Sequence, residues 1–200
     1  MAQQFWVAMI NPGAPWQTAS GTSLATAATA TISPEGAGGT GADPLVAAYQ
    51  FSEGLMIRVK ARGIYTCGST ATNATWALYA SAPGTAASGG TSLATTGALA
   101  LPTSVSNLWW RLDAYIQVRQ IAQGTSTSTL YTHGEVMIQT ATPSGTTANI
   151  QVWPMPATSG PTAADADTTV AHTVALAATL SQATGSPSIT CTNFTLETCC

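Results

Sequence analysis

The chain has 200 residues, a mass of 20.3 kDa, 6% charged residues and a formal net charge of −3. Soluble domains average about 25% charged residues, so small neutral and polar side chains have replaced most of the usual surface charge. Five basic residues give no electrostatic grip on nucleic acid, no apolar run reaches the ~18 residues of a spanning helix, and the content of Leu, Ile, Val, Trp and Tyr is too high for a disordered chain.

The first stretch, residues 1–20, contains Phe5, Trp6, Pro12, Pro15 and Trp16 without periodic alternation. It reads as an extended N-terminal arm, or as an irregular edge packed on its own domain. No Lys or Arg precedes the short apolar run Phe5 to Ile10, so no signal peptide is predicted and synthesis is expected in a reducing cytoplasm. Residues 21–200 read as one β-sandwich domain. Short strand candidates there are Leu24 to Ile32 and Leu45 to Phe51.

The clearest strand runs from Leu55 to Tyr65. Leu55, Ile57, Val59 and Ala61 fall on one face, and Met56, Arg58, Lys60 and Arg62 on the other, which is the period of a half-buried strand. Ala74 to Ala80 and Leu93 to Leu101 are further candidates. Trp109 to Ile121 alternates again: Trp110, Leu112, Ala114, Ile116 and Val118 face inward, and Trp109, Arg111, Asp113, Tyr115, Gln117 and Arg119 face outward. Leu130 to Thr140 places Val136 and Ile138 inward, with His133, Glu135, Met137 and Gln139 opposite. Ala148 to Trp153 is a weaker candidate. Trp153 to Ala166, with Pro154, Pro156 and Pro161, reads as a long loop unfit for a central strand. Thr173 to Leu180 aligns Val174, Leu176 and Leu180, and Ser188 to Glu197 puts Phe194 and Leu196 on one face. Gly, Pro and Ser clusters separate these runs. The expected class is all-β, an antiparallel sandwich of roughly ten strands.

Few residues suggest chemistry. Eight acids, five bases and two histidines are a thin supply for catalysis, and no Gly-x-Ser-x-Gly elbow is present. The expectation is no enzyme, no cofactor and no metal. His133 with Glu135 and the distant His172 lack close ligand spacing. Asp165 and Asp167 lack a full calcium-loop pattern. Paired carboxylates for glycoside cleavage depend on spatial rather than sequence spacing.

All five bases lie in two strands, as Arg58, Lys60 and Arg62, then Arg111 and Arg119. One reading is a docking face for an acidic partner. The other is a solvated face with cross-strand pairs, such as an arginine with Asp113 or Glu53. Trp109 and Trp110 point to opposite faces, so Trp109 is expected outside the core. Phe5, Trp6 and Trp16 cannot bury themselves locally. Cys67 and Cys191 read as small buried hydrophobes. Cys199 and Cys200 read either as subunit cross-links or as a frayed tail with free thiols. The expected interface residues are therefore Phe5, Trp6, Trp16, Arg58, Lys60, Arg62, Trp109, Arg111, Arg119, Cys199 and Cys200.

Two segments together carry a family likeness. One is Leu108-Trp109-Trp110-Arg111-Leu112-Asp113-Ala114-Tyr115-Ile116-Gln117-Val118-Arg119, followed by a Gly/Ser/Thr loop and Tyr131-Thr132-His133-Gly134-Glu135-Val136. The other is Thr169 to Leu176, a Ser/Ala/Thr/Gly loop, then Ile189 to Glu197. Over residues 51–200 the pattern resembles β-sandwich virion proteins of tailed bacteriophages, which coat or cement heads or build tail appendages. The resemblance implies a jelly-roll-like sandwich, a symmetric oligomer such as a homotrimer, and no catalytic residues. It implies a capsid decoration or cement protein on the virion exterior, contacting itself and the major capsid protein. The alternative is a tail-fibre or head-fibre module that binds host glycans.

Overall fold

The computed structural model describes residues 7–10, 17–20, 29–33, 45–46, 53–81, 89–121, 128–142, 149–157, 160, 162–167 and 169–199. Within them run fourteen strands and no α-helix. In chain order they are β1 (Val7–Ile10), β2 (Gln17–Ser20), β3 (Thr29–Thr31), β4 (Leu45–Val46), β5 (Met56–Cys67), β6 (Thr72–Ser81), β7 (Thr91–Thr95), β8 (Leu99–Leu101), β9 (Val105–Gln120), β10 (Ser128–Gln139), β11 (Ile150–Met155), β12 (Thr162–Ala166), β13 (His172–Leu180) and β14 (Ser188–Cys199).

These strands make two antiparallel sheets, a β-sandwich. The larger has the order β1-β14-β5-β9-β10-β11, with β2 also beside β14 and β12 also beside β10. The smaller has the order β3-β13-β6-β7, with β4 beside β13 and β8 beside β6. The inner faces follow from alternation. On β9, Trp110, Leu112, Ala114, Ile116 and Val118 are each at most 1% exposed. On β5, Ile57, Val59 and Ala61 are buried while Arg62 and Ile64 are exposed. Trp76 of the small sheet meets Trp110 of the large one at 6.0 Å between ring centroids, tilted by 51°. Burying each such side chain contributes on the order of 2–3 kcal/mol.

The five strongest sequence expectations, at Leu55, Trp109, Leu130, Thr173 and Ser188, correspond to β5, β9, β10, β13 and β14. Four details differ. The run Leu93 to Leu101 is two strands rather than one. Between them Thr96 pairs with Trp76 through backbone and hydroxyl, and Gly97 takes a φ of +69°. The expected loop from Trp153 to Ala166 holds the end of β11 and all of β12, both laid on β10. Pro154 is tolerated there because β11 is the last strand of the order and needs no N–H on its free side. Gln139, expected among the outward residues, is buried: its amide accepts from the Trp109 N–H and donates to the Ala141 carbonyl. Both faces of β13 are buried, the second carrying Ala175 and Ala177 under Tyr79.

Of the expected arm, Val7–Ile10 and Gln17–Ser20 pair with β14. Phe5, Trp6, Trp16 and Cys200 lie outside the described residues. So do the remainders of the candidates Leu24 to Ile32 and Leu45 to Phe51.

Candidate functional site

The outer face of the large sheet collects the residues that composition marked as unusual. Pairing on β5, β9 and β10 is in register, so outward side chains form cross-strand rows. One row runs Glu197, Arg58, Tyr115, His133. The next runs Thr195, Lys60, Asp113, Glu135, Pro154. The third runs Asn193, Arg62, Arg111, Met137, Val152. In the fourth, Ile64 is opposite Trp109 and Gln139 is opposite Ile150.

Most of the charge in these rows is paired on the sheet itself. The Arg58 guanidinium donates from Nε to Asp113 Oδ1 at 2.8 Å and from Nη2 to Oδ2 at 2.5 Å, the bidentate fork that suits a carboxylate. This bond raises the arginine pKa further above its ordinary value. Lys60 Nζ donates to both Glu197 oxygens, at 2.9 and 2.8 Å. Arg111 Nη2 lies 4.0 Å from Glu135 Oε1 and 3.0 Å from Met137 Sδ. Arg119 lies over the Tyr131 ring at 6.0 Å. The cross-strand pairing reading therefore holds for Arg58 and Lys60, and the partner of Arg58 is Asp113. Glu53 instead accepts from the Ile121 N–H. The Arg62 guanidinium has no ion-pair partner among the described residues.

A groove of about 940 Å³ opens beside these rows. Its lining includes Asp113, Tyr115, His133 and Glu135 from β9 and β10 and the stretch from Pro154 to Ala157. Asp113 and Glu135 are directly opposite across β9 and β10. Asp113 Oδ2 lies 2.5 Å from Arg58 Nη2, and Glu135 Oε1 lies 4.0 Å from Arg111 Nη2. Tyr115 is covered on two sides, by Arg58 at 5.3 Å and by His133 stacked at 5.5 Å.

The other expected chemistry does not converge. His172 lies on β13 in the opposite sheet from His133 and Glu135, its Nε2 against the Asp167 carbonyl. Asp167 Oδ1 accepts from the Thr169 N–H at 2.9 Å and its hydroxyl at 2.6 Å, which lowers the Asp167 pKa. That carboxylate closes a turn, while Asp165 belongs to β12. Cys67 and Cys191 are buried free thiols, raised by burial to about 11 and about 12 respectively. Cys199 is a half-buried free thiol opposite Met56.

The structure adds an apolar corner that the strand pattern only hinted at. Trp109 is 37% exposed, Ile64 38%, Ile150 46% and Val152 52%. Ile64 was legible as an apolar residue in the polar phase of β5. Ile150 and Val152 emerge only once β11 is placed against β10. Compared with protein-family models, curated proteins and solved structures, the chain matches none.

Proposed function

We propose that this chain is a structural subunit of a tailed-phage virion that decorates and cements the capsid shell. The observation that carries the reading is the apolar corner Ile64, Trp109, Ile150 and Val152 on the outside of a sheet whose charges are largely self-paired. Uncovered apolar patches rimmed by polar groups mark surfaces that meet other macromolecules. Surface rich in Thr, Ser and Ala orders at low side-chain entropy cost, and paired charges already have partners when water leaves.

The strand order supports the jelly-roll form of the sandwich. In the large sheet β14 lies between the N-terminal strands β1 and β2 and the middle strand β5. In the small sheet β13 lies between β3 and β4 and the middle strand β6. Late strands inserted beside early ones in both sheets are the wrap of paired Greek keys. The proposed oligomer is a homotrimer, in which Phe5, Trp6 and Trp16 contact neighbouring subunits and Cys199 and Cys200 form the cross-links.

Sedimentation equilibrium of the full chain, with and without reductant, tests the oligomer. A stable trimer is expected, and mass loss on reduction assigns the terminal cysteines a cross-linking role. A monomer at every concentration refutes the preformed trimer. A second reading, a fibre module that binds host glycans, draws on the groove lined by Asp113 and Glu135. Saturable binding on a glycan array, lost in Glu135→Gln, would favour it over the cement reading.

A further inference from the structure

The four central strands of the large sheet, β14, β5, β9 and β10, carry all five bases of the chain and three of its eight acids. In a chain of net charge −3 this face has a surplus of two positive charges, and the rest of the sequence has only acids. Asp165, on the flanking β12, lies opposite Thr129, at the Arg119 end of the face.

The surplus is not spread evenly. Asp113 is held by Arg58, and Glu197 by Lys60. Arg62 and Arg111 sit directly opposite each other on β5 and β9, both exposed. Side chains so placed start about 5 Å apart at Cβ, and like charges there repel. Arg111 has Glu135 at 4.0 Å as its one ion partner among the described residues and the uncharged Met137 Sδ at 3.0 Å, and Arg62 has no ion pair among the described residues. An opposed arginine pair in a protein with so few charges is a cost the fold does not need. It becomes favourable when an anion lies between the two guanidinium groups. The next row supplies the apolar surface of Ile64, Trp109 and Ile150, with Val152 beside Met137.

We propose that this face docks an acidic segment of a partner protein. A carboxylate lies between Arg62 and Arg111, and the apolar side chains beside it cover Trp109 and Ile64. The inference rests on the virion-assembly reading and names the chemistry of the surface that the subunit grips. Guanidinium forks match planar carboxylates bidentately. A phosphate polymer fits less well, because Arg58 and Lys60 are already held by Asp113 and Glu197, and the Arg62–Arg111 pair is too short a run of cations for a continuous line of negative charge.

The test uses the full chain and three probes of defined composition. One is a short synthetic peptide with alternating glutamates flanked by Phe and Leu. The second is its lysine-for-glutamate twin. The third is a single-stranded oligodeoxynucleotide. Binding is read by fluorescence anisotropy at low and high salt. The glutamate peptide is expected to bind at least about tenfold more tightly than its twin. Arg62→Glu/Arg111→Glu is expected to invert that preference. Trp109→Ser is expected to weaken both peptides while leaving the glutamate preference intact. Circular dichroism confirms that each variant is folded, and Arg62→Lys/Arg111→Lys serves as a milder substitution if the reversal unfolds the sheet.

Equal binding of the twins, no binding up to about 1 mM, or tighter binding of the oligonucleotide overturns the proposal. Loss of the peptide preference with intact binding to phage heads removes this docking chemistry and leaves the virion role. An intact preference with no head binding does the reverse.

Discussion

Trp109 and Trp110 are adjacent in sequence and opposite in fate. Trp110 is fully buried against Trp76 across the sandwich, while Trp109 is 37% exposed beside Ile64. Truncating a buried aromatic to Ala costs about 3–5 kcal/mol. Loss of the tilted pair with Trp76 adds about 0.5–1.5 kcal/mol. Trp110→Ala is therefore expected to cost roughly 4–6 kcal/mol, a large share of the ~5–15 kcal/mol that holds a typical domain together. For a chain of this size that lowers the melting temperature by about 8–24 °C. Trp109→Ala removes a partly solvated ring, with an expected cost of no more than about 2 kcal/mol. Trp110→Phe keeps a smaller aromatic ring at the site and removes an indole N–H that has no hydrogen-bond partner among the described residues. It should cost less than about 2 kcal/mol, because a buried unsatisfied donor is itself unfavourable. Urea unfolding followed by near-ultraviolet circular dichroism measures all three. Equal losses for Trp109→Ala and Trp110→Ala would show that β9 does not present its faces as described.

Gly134 faces Ala114 so closely that an added Cβ would lie 2.5 Å from the Ala114 Cα and the Asp113 carbonyl oxygen. Gly134→Ala should therefore spread β9 from β10 and cost about 2–3 kcal/mol in the same urea assay. Burial raises the pKa of Cys67, Cys191 and Tyr65. Their neutral forms stabilise the fold below the unfolded thiol pKa near 9, and that contribution is lost as pH rises through the folded values. Stability should fall from about pH 9 upward, each thiol adding up to about 1.4 kcal/mol per pH unit. Flat stability between pH 9 and 11, measured by thermal melts, would contradict this. The same burial should shield Cys67 and Cys191 from a thiol-specific reagent in the native, reduced protein, while peptide mapping finds the adduct on Cys199 and finds it absent at that position in Cys199→Ser.

Much of the core was legible because each long strand carries its own period. The β9 sequence sorts its inward and outward residues without help from any neighbour. The β14 sequence is subtler. Ile189 and Cys191 are inward on odd positions, Phe194 and Leu196 on even ones. The change of phase is the irregularity between Cys191 and Asn193, where the ladder with β5 shifts register. Less of the outer face of the large sheet could be read in advance. The bases were visible as a set, but their pairing depends on which strands are neighbours. Lys60 meets Glu197 across 137 positions of chain, and that contact exists only because β14 returns beside β5. The start of β11 was legible as the candidate Ala148 to Trp153, but its end and all of β12 were obscured by Pro154, Pro156 and Pro161, and nothing in the sequence placed Ile150 and Val152 on a surface shared with Trp109. The family likeness rested on the strands around Trp109 to Val136 and Thr169 to Glu197, and strand pattern identifies an architecture more readily than a role.

The central claim is that the outer face of the large sheet attaches this chain to a capsid shell. Under the proposed virion role, co-sedimentation with tailed-phage heads prepared without the chain is the most direct measurement. The account predicts saturable binding at a fixed ratio of chain to shell subunit, lost in Trp109→Ser and in Arg62→Glu/Arg111→Glu. Heads that bind no wild-type chain, or that bind the variants equally well, would contradict it.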